Sequence, residues 1–427
     1  MPDFKEDFLQ FIWQHKLLLP KPTITVSGKE IRILKVGELN SNSGPDFFNA
    51  QIKINQLILA GNIEIHLKTS DWLKHGHDKD KTYNNIILHV VYSHDIELQQ
   101  NTEHQVEVLE LKNLIDEASI VKYKQLFSTK QSLSCNKQLP QVSDLQFLAW
   151  LDRMVVERLE EKVKRLSHWF ELSKGDYQYS FYVALVRNFG FNVNADAFEL
   201  LAKQLPLAIL LKHADNLLQL ESLLLGTAGM LENQFEEAYL LKLQNEFEFL
   251  KNKYQIIPLP KELFKFSRMR PANFPNLRLA QLAAFMHRSA DLFFKPYQFT
   301  AYQNLSQQLN TPLSGYWKNH YSFNGKLLQK DINLGKNAID NLLMNTFAPF
   351  LFFYGRKSGN EDYLEKALLI LQNCAFEKNK ITKLYGSKIS VFKDASQSQG
   401  LINLYHNYCK TKQCLRCGVA ASILKPA

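Results

Sequence analysis

No stretch of this sequence approaches the roughly 18 consecutive apolar residues that a bilayer-spanning helix needs. The densest apolar run, around Phe347 to Tyr354, has the length of a buried helix segment. Cysteine is scarce: five in 427 residues, three of them near the end. That usage excludes a secreted disulfide framework. Asp3, Lys5, Glu6 and Asp7 stand where a signal peptide would carry its apolar core, so the expected compartment is the cytoplasm, with no membrane association. Repeats of fixed period and low-complexity tracts are missing too, and the later, helical part reads as a bundle or array. With 45% hydrophobic and 22% charged residues the chain is globular, long enough for two or three domains with cores of their own. A net charge of +9 is mild; it permits a polyanionic partner without demanding one.

Two periodicities divide the chain. An opening helix is expected over Phe4 to Leu19, stopped by Pro20 and Pro22. Strand-like runs follow at Thr23–Val26, Ile31–Val36, Phe47–Ile54, Leu57–Lys68, Ile86–Tyr92 and Val106–Leu109, punctuated by Gly28, Gly44 and Gly61. The polar segment Ser70 to Asn84 between two of them reads as one helix or an ordered loop. After a linker around Ser128 to Val142 the period becomes helical. Ser143 and Gln146 have capping-box spacing, and Phe147, Leu151, Val155, Leu159 and Val163 form a stripe along one face of a long helix. Further helices are expected near 176–189, 194–204, 215–231, 234–254, 276–290, 338–355 and 360–375. The fold class is therefore α+β: a small mixed α/β domain, rich in β structure, over 1–127, then a mainly helical region over 143–427.

The residues able to do chemistry concentrate in the first domain. In Gly61-Asn-Ile-Glu64-Ile-His66-Leu-Lys68 apolar and polar side chains alternate, so Ile63, Ile65 and Leu67 face one side of a strand and Glu64, His66 and Lys68 the other. Any sheet with one wet face reads this way. Upstream lie Glu38 and the Pro45-Asp46 pair. Of twelve histidines, His66, His75, His77, His89, His94 and His104 all fall between residues 66 and 104. His75-Gly76-His77 with Asp78 and Asp80 offers imidazole and carboxylate donors for Zn²⁺ or Mn²⁺, or alternatively a self-bonded polar loop. His89, inside an apolar run, reads as a core histidine.

At the other end, His406-x2-Cys409-x4-Cys414-x2-Cys417 has the spacing of a metal knuckle. Four such ligands suit a structural zinc. Cys374 in place of His406 would give a cysteine-only set suited to an iron–sulfur cluster, and reduced thiols without metal are the plainer alternative. Cys135 stands alone and is expected to be inert. Arg268, Arg270 and Arg278 crowd a loop-to-helix junction, where they would either hold phosphates or tie helices together. Gly226-Thr-Ala-Gly229 lacks the lysine of a phosphate loop and reads as helix packing or a helix end.

A Pro-Asp pair, a strand, and a hairpin into Glu-x-His resemble the PD-(D/E)xK nucleases, whose fold is that of the restriction endonucleases. The resemblance implies that Asp46 and Glu64 hold Mg²⁺ or Mn²⁺, with Glu38 as a third acid. The family's lysine is replaced by His66, which would act as base or metal ligand, with Lys68 one pleat further on. Over nearly the whole chain, Gly44-Pro-Asp-Phe47, Gly61-Asn-Ile-Glu-Ile-His66, Ser70-Asp-Trp72, His75-Gly-His77, Leu88-His-Val-Val91, Arg268-Met-Arg-Pro271 and the terminal cysteines resemble a bacterial family known as domain of unknown function 2851. That family brings no activity with it. The expected function is metal-dependent phosphodiester cleavage of nucleic acid; the alternative is a non-catalytic scaffold that binds nucleic acid or protein and carries structural metal.

Overall fold

A computed structural model describes residues 4–40, 42–98, 106–129, 131–298, 301–313, 315–329 and 331–425. The class is α+β, as expected: a curled mixed sheet followed by a mostly helical region. Two compact units emerge, and they are not simply consecutive. One comprises Met1–Trp150 with Lys383–Val391 and Leu404–Ala427; the other comprises Leu151–Thr382 with Phe392–Asn403. Local periodicity carries no record of where a chain returns, so this grouping was not legible in the sequence.

In the first unit, helix α1 (Glu6–Gln14) opens with Glu6 and Asp7, where acidic side chains favour the positive end of the helix dipole, and it buries Phe8, Leu9, Phe11, Ile12 and Trp13. It ends earlier than expected because Lys16 turns into the left-handed region before the prolines are reached. Strands β1 (Ile31–Lys35), β2 (Glu38–Leu39), β3 (Phe47–Ile54), β4 (Leu57–Lys68), β5 (Ile86–Ser93) and β6 (Glu107–Glu110) form one sheet in the order β1-β3-β4-β5-β6, with β2 alongside β3. The run Thr23–Val26 supplies only an isolated bridge, Ile24 to Glu30.

Strands β1, β3 and β4 are antiparallel, whereas β4, β5 and β6 are parallel. The parallel step needs a crossover, and residues 69–85 provide it, with the short helix α2 (Asp71–Lys74) and a 3₁₀ turn Lys81–Tyr83. It folds over the polar face of β4. Consequently Glu64 is only 5% exposed and His66 only 1%, so the face that alternation leaves open to water is roofed. A bulge between Phe47 and Ala50, where Asn49 adopts φ 55°, shifts the β3–β4 register and turns Asp46 towards β4. Helix α3 (Glu117–Ser128) follows the sheet, and its Ser119 donates to the carbonyl of Leu424, at the end of the closing helix Gly418–Leu424.

The second unit is helical among the described residues. Helix α4 (Asp144–Leu172), which begins in the first unit and runs on into the second, carries the expected stripe: Phe147, Leu151, Val155 and Leu159 are buried and Val163 is partly so. Helices α5 (Tyr177–Phe189) and α6 (Phe191–Gln204) pack against each other, followed by segments that include Leu217–Thr227, Ala238–Tyr254 and Pro275–Arg288. Gly229, at φ 67° just past Leu217–Thr227, ends that helix; a Cβ there would stand 2.2 Å from the carbonyl oxygen of Leu259. The apolar run near residue 350 lies in the buried helix Ala348–Ser358, entered through a π turn at Leu343–Phe347. That turn releases carbonyls from the regular ladder: Lys162 donates to Met344 O and Asn188 to Asn345 O. No helix among the described residues is long and apolar enough to cross a membrane.

Candidate metal centre

Strand β4 places Glu64 and His66 two residues apart on one face, and the crossover brings His75 and His77 onto them. Gly76, at φ 74°, lets the chain reverse between the two histidines so that both rings turn the same way. One ring nitrogen from each of His66, His75 and His77 lies within 4.8 Å of the others; no other such set of three metal-capable side chains occurs among the described residues. His75 Nδ1 is 3.1 Å from His66 Nε2. Glu64 Oε1 is 3.4 Å from His66 Nε2 and 3.3 Å from His77 Nε2. Ligands about 2.0–2.2 Å from a tetrahedral ion are separated by edges of about 3.3–3.5 Å. The two Glu64 spacings match those edges, while the His75–His66 spacing is shorter, at hydrogen-bond length.

The ring order is set by neighbours. His66 Nδ1 and His89 Nε2 share a proton across 2.9 Å, which leaves His66 Nε2 for the centre. Tyr83 stacks on His77 with ring centroids 3.8 Å apart, and Trp72 packs edge-on against His77. His77 Nε2 and His89 Nδ1 are buried without an aligned hydrogen-bond partner.

Burial controls the charges. It pushes Glu64 up to about 8, with the adjacent Asp46 carboxylate adding to the rise. Asp46 is raised to about 6 by burial, against the pull of the Ile65 amide and Gln10. His66 falls to about 2 and His89 to about 3 through burial and the surrounding imidazoles, and burial lowers His77 as well. At pH 7 the close approaches of Glu64 to His66 and His77 are therefore contacts between neutral groups, not ion pairs. A dication would take the place of the Glu64 proton.

A carboxylate group adjoins the imidazoles. Glu64 Oε2 accepts from the Asp46 amide at 3.1 Å, and Asp46 Oδ2 accepts from the Ile65 amide at 2.9 Å. Two residues of α1 complete it: Gln10 donates to Asp46 Oδ1 at 2.8 Å, and Glu6 accepts from the Leu67 amide while burial raises its pKa. Neither was singled out from the sequence, although their i, i+4 spacing on one helical face was a usable signal. His89 is buried as expected, yet it is bonded into this cluster through His66.

Other expected site residues lie elsewhere. Glu38 is exposed and pairs with Lys35, and Lys68 pairs with Asp95 at 3.9 Å. Asp80 caps the 3₁₀ turn through the Thr82 amide and Asp78 is exposed, so Glu64 is the carboxylate beside the imidazoles. His94 bonds Thr69 and approaches Glu97; His104 lies outside the described residues. In the helical unit Arg268 and Arg270 are exposed. Arg278 is buried, bonded to Asn273 and Gln281 and laid over the Phe191 ring, so it ties helices together. At the C-terminus His406 is exposed, while Cys374 is buried in the helical unit beside the carbonyl of Asp340.

One cationic surface went unnoticed in the sequence. Arg158, Lys162, Lys164, Arg165, His168 and Arg187 line a cavity of about 760 Å³ in the helical unit together with Glu161, and Arg158 and Arg187 are paired with Glu161 and with Asp196 and Glu199. The signal was available, because four of these recur on one face of α4. Burial and the nearby Arg158 lower Lys162 to about 7.

No curated protein and no solved structure matches the chain. A family model matches residues 6–380, taking in the whole histidine–carboxylate cluster and stopping short of His406 and the three C-terminal cysteines. By that match the chain belongs to the family described as protein of unknown function DUF2851.

Proposed function

We propose that this protein is a metal-dependent phosphodiesterase acting on nucleic acid, with its metal held by His66, His75, His77 and Glu64. The observation that carries this reading is the meeting of one ring nitrogen from each of His66, His75 and His77 within 4.8 Å of one another, with Glu64 Oε1 3.3–3.4 Å from His66 Nε2 and His77 Nε2. The donor set favours Zn²⁺ or Mn²⁺ over the Mg²⁺ expected from the nuclease resemblance, because imidazole suits borderline transition ions and Mg²⁺ prefers oxygen. A bound dication would supply Lewis acidity and lower the pKa of a coordinated water.

The chain's own groups divide the remaining work. His66, held neutral well below pH 7, is suited to ligation and not to accepting a proton. Asp46, near 6 and next to the centre, is ionised at neutral pH and has lone pairs left beyond its two hydrogen bonds. It is the group to take a proton from the attacking water. The water oxygen forms the new bond to phosphorus, one ester P–O bond breaks, and the proton passes from Asp46 to the leaving oxygen. The exposed basic side chains Lys164 and Arg165 support a polyanionic ligand for the helical unit.

A second reading is favoured by one observation. Both Asp46 oxygens and Glu64 Oε2 are already engaged in holding β3, β4 and α1 together, as they would be around a structural metal in a binding scaffold. Cleavage assays on single- and double-stranded DNA and RNA with Zn²⁺, Mn²⁺ or Mg²⁺ separate the two. Asp46→Asn should keep the metal and lose cleavage. If no substrate is cut with any ion while the protein retains its metal, the scaffold reading stands.

A further inference from the structure

Four of the five cysteines converge on one place. Cys135 precedes α4, and Cys409, Cys414 and Cys417 follow the last long helices, yet all four line a single small cavity of the first unit together with Leu126, Ser134, Tyr408 and Ala420. All are free thiols. Two contacts from Lys412, in the turn between Cys409 and Cys414, hold the two segments together: its Nζ donates to Gln131 O at 3.0 Å and Ser134 Oγ at 2.8 Å. The fourth thiol of the C-terminal set is therefore Cys135, which looked isolated in the sequence. His406 is turned to solvent, and Cys374 belongs to the other unit.

Four buried thiols could simply be small hydrophobes filling a core. Two features argue against that. The thiols surround a space of about 20 Å³ instead of closing over it, more than the roughly 10–15 Å³ that one water occupies, whereas cores normally pack such gaps shut. Polar groups also reach the sulfurs. Tyr385 Oη lies 3.3 Å from Cys409 Sγ, and Ser134 hydrogen-bonds Cys414.

The spacing discriminates between occupants. Sulfurs sharing one tetrahedral zinc at about 2.3 Å would stand about 3.8 Å apart. No three of these thiols have their sulfurs within 4.8 Å of one another; among the described residues only the histidine set does. Thiolates that each hold a different iron of one cluster lie farther apart, and a dry, cysteine-only pocket is the usual surrounding of such a cluster. We propose that Cys135, Cys409, Cys414 and Cys417 ligate an iron–sulfur cluster that fastens the C-terminal turn to the segment preceding α4.

The test is the metal and sulfide content of the full-length protein purified without oxygen, read with its visible absorption. Equal amounts of iron and acid-labile sulfide, up to about four of each per chain, with a broad visible chromophore, are expected. Cys135→Ser should lose most of the iron, while His406→Ala and Cys374→Ser keep it. Loss of the cluster should also expose the chain beyond residue 404 to protease. Should Cys135→Ser fail to fold, the iron-to-sulfide ratio of the wild type decides alone. Zinc without sulfide, full iron in Cys135→Ser, or loss of metal in His406→Ala would each overturn the assignment.

Discussion

Replacing Glu64 by glutamine separates metal binding from folding, because the metal-free site already holds this side chain neutral at pH 7. With its pKa raised from 4.5 to about 8, Glu64 contributes its full stability below pH 4.5 and loses it as the pH rises through 8. The loss amounts to about 1.4 kcal/mol for each pH unit in that window. Glutamine does not titrate. Metal-free Glu64→Gln should therefore gain on metal-free wild type by about 1.4 kcal/mol per pH unit between 4.5 and 8. The depressed histidines destabilise both proteins alike as the pH falls below 6.5, so they cancel in the difference. In the metal-bound state the order reverses. Wild type should release about one proton per Zn²⁺ or Mn²⁺ at pH 7 and bind it up to about tenfold more tightly for each pH unit between 6 and 8. The variant should bind more than about 100-fold more weakly, since even outer-shell changes cost 10–100-fold. Thermal melts from pH 4.5 to 9 with and without metal, and calorimetry in buffers of different ionisation enthalpy, read both effects. Wild-type metal affinity in Glu64→Gln, or a metal-free stability difference that does not change with pH, would mean that Glu64 is neither a ligand nor held protonated.

Three further outcomes are expected. His66→Lys, which restores the residue of the nuclease pattern, should destabilise the protein by several kcal/mol, because it puts an ammonium into a site 1% exposed among imidazoles; a stable variant that cleaves nucleic acid would show that the buried geometry is misread. Arg278→Ala should cost about 2–4 kcal/mol by stranding Asn273 and Gln281 while leaving the salt dependence of nucleic-acid binding unchanged; a shallower salt slope in binding titrations would return Arg278 to a phosphate. Lys164→Gln and Arg165→Gln, both exposed at the cavity of the helical unit, should each reduce that slope by about one; an unchanged slope removes this cavity from nucleic-acid binding.

Strand and helix positions were largely legible because each carries its own period. β3 and β4 run over the residues that alternation assigns, and the stripe Phe147 to Val163 is buried along α4. The candidate site was legible in part. Glu64, His66, His75 and His77 could be named from spacing, but their joint geometry depends on the crossover folding back over β4, which spacing does not encode. Glu6 and Gln10 entered from a helix about 40 residues before the Pro-Asp pair, and Cys135 met its partners from the far end of the chain. Such long-range meetings are settled by packing of whole elements, and a local window has no access to them. Glu38, by contrast, was an acid in a suitable place in the sequence whose short strand turns it to solvent.

A transition-metal centre on His66, His75, His77 and Glu64 is best examined in a crystal of the Zn²⁺- or Mn²⁺-loaded protein measured at the absorption edge of the metal. An anomalous peak is expected about 2.0–2.2 Å from one nitrogen of each histidine and from Glu64 Oε1. A peak at Asp78 and Asp80, or none within ligand distance of His66, would contradict it.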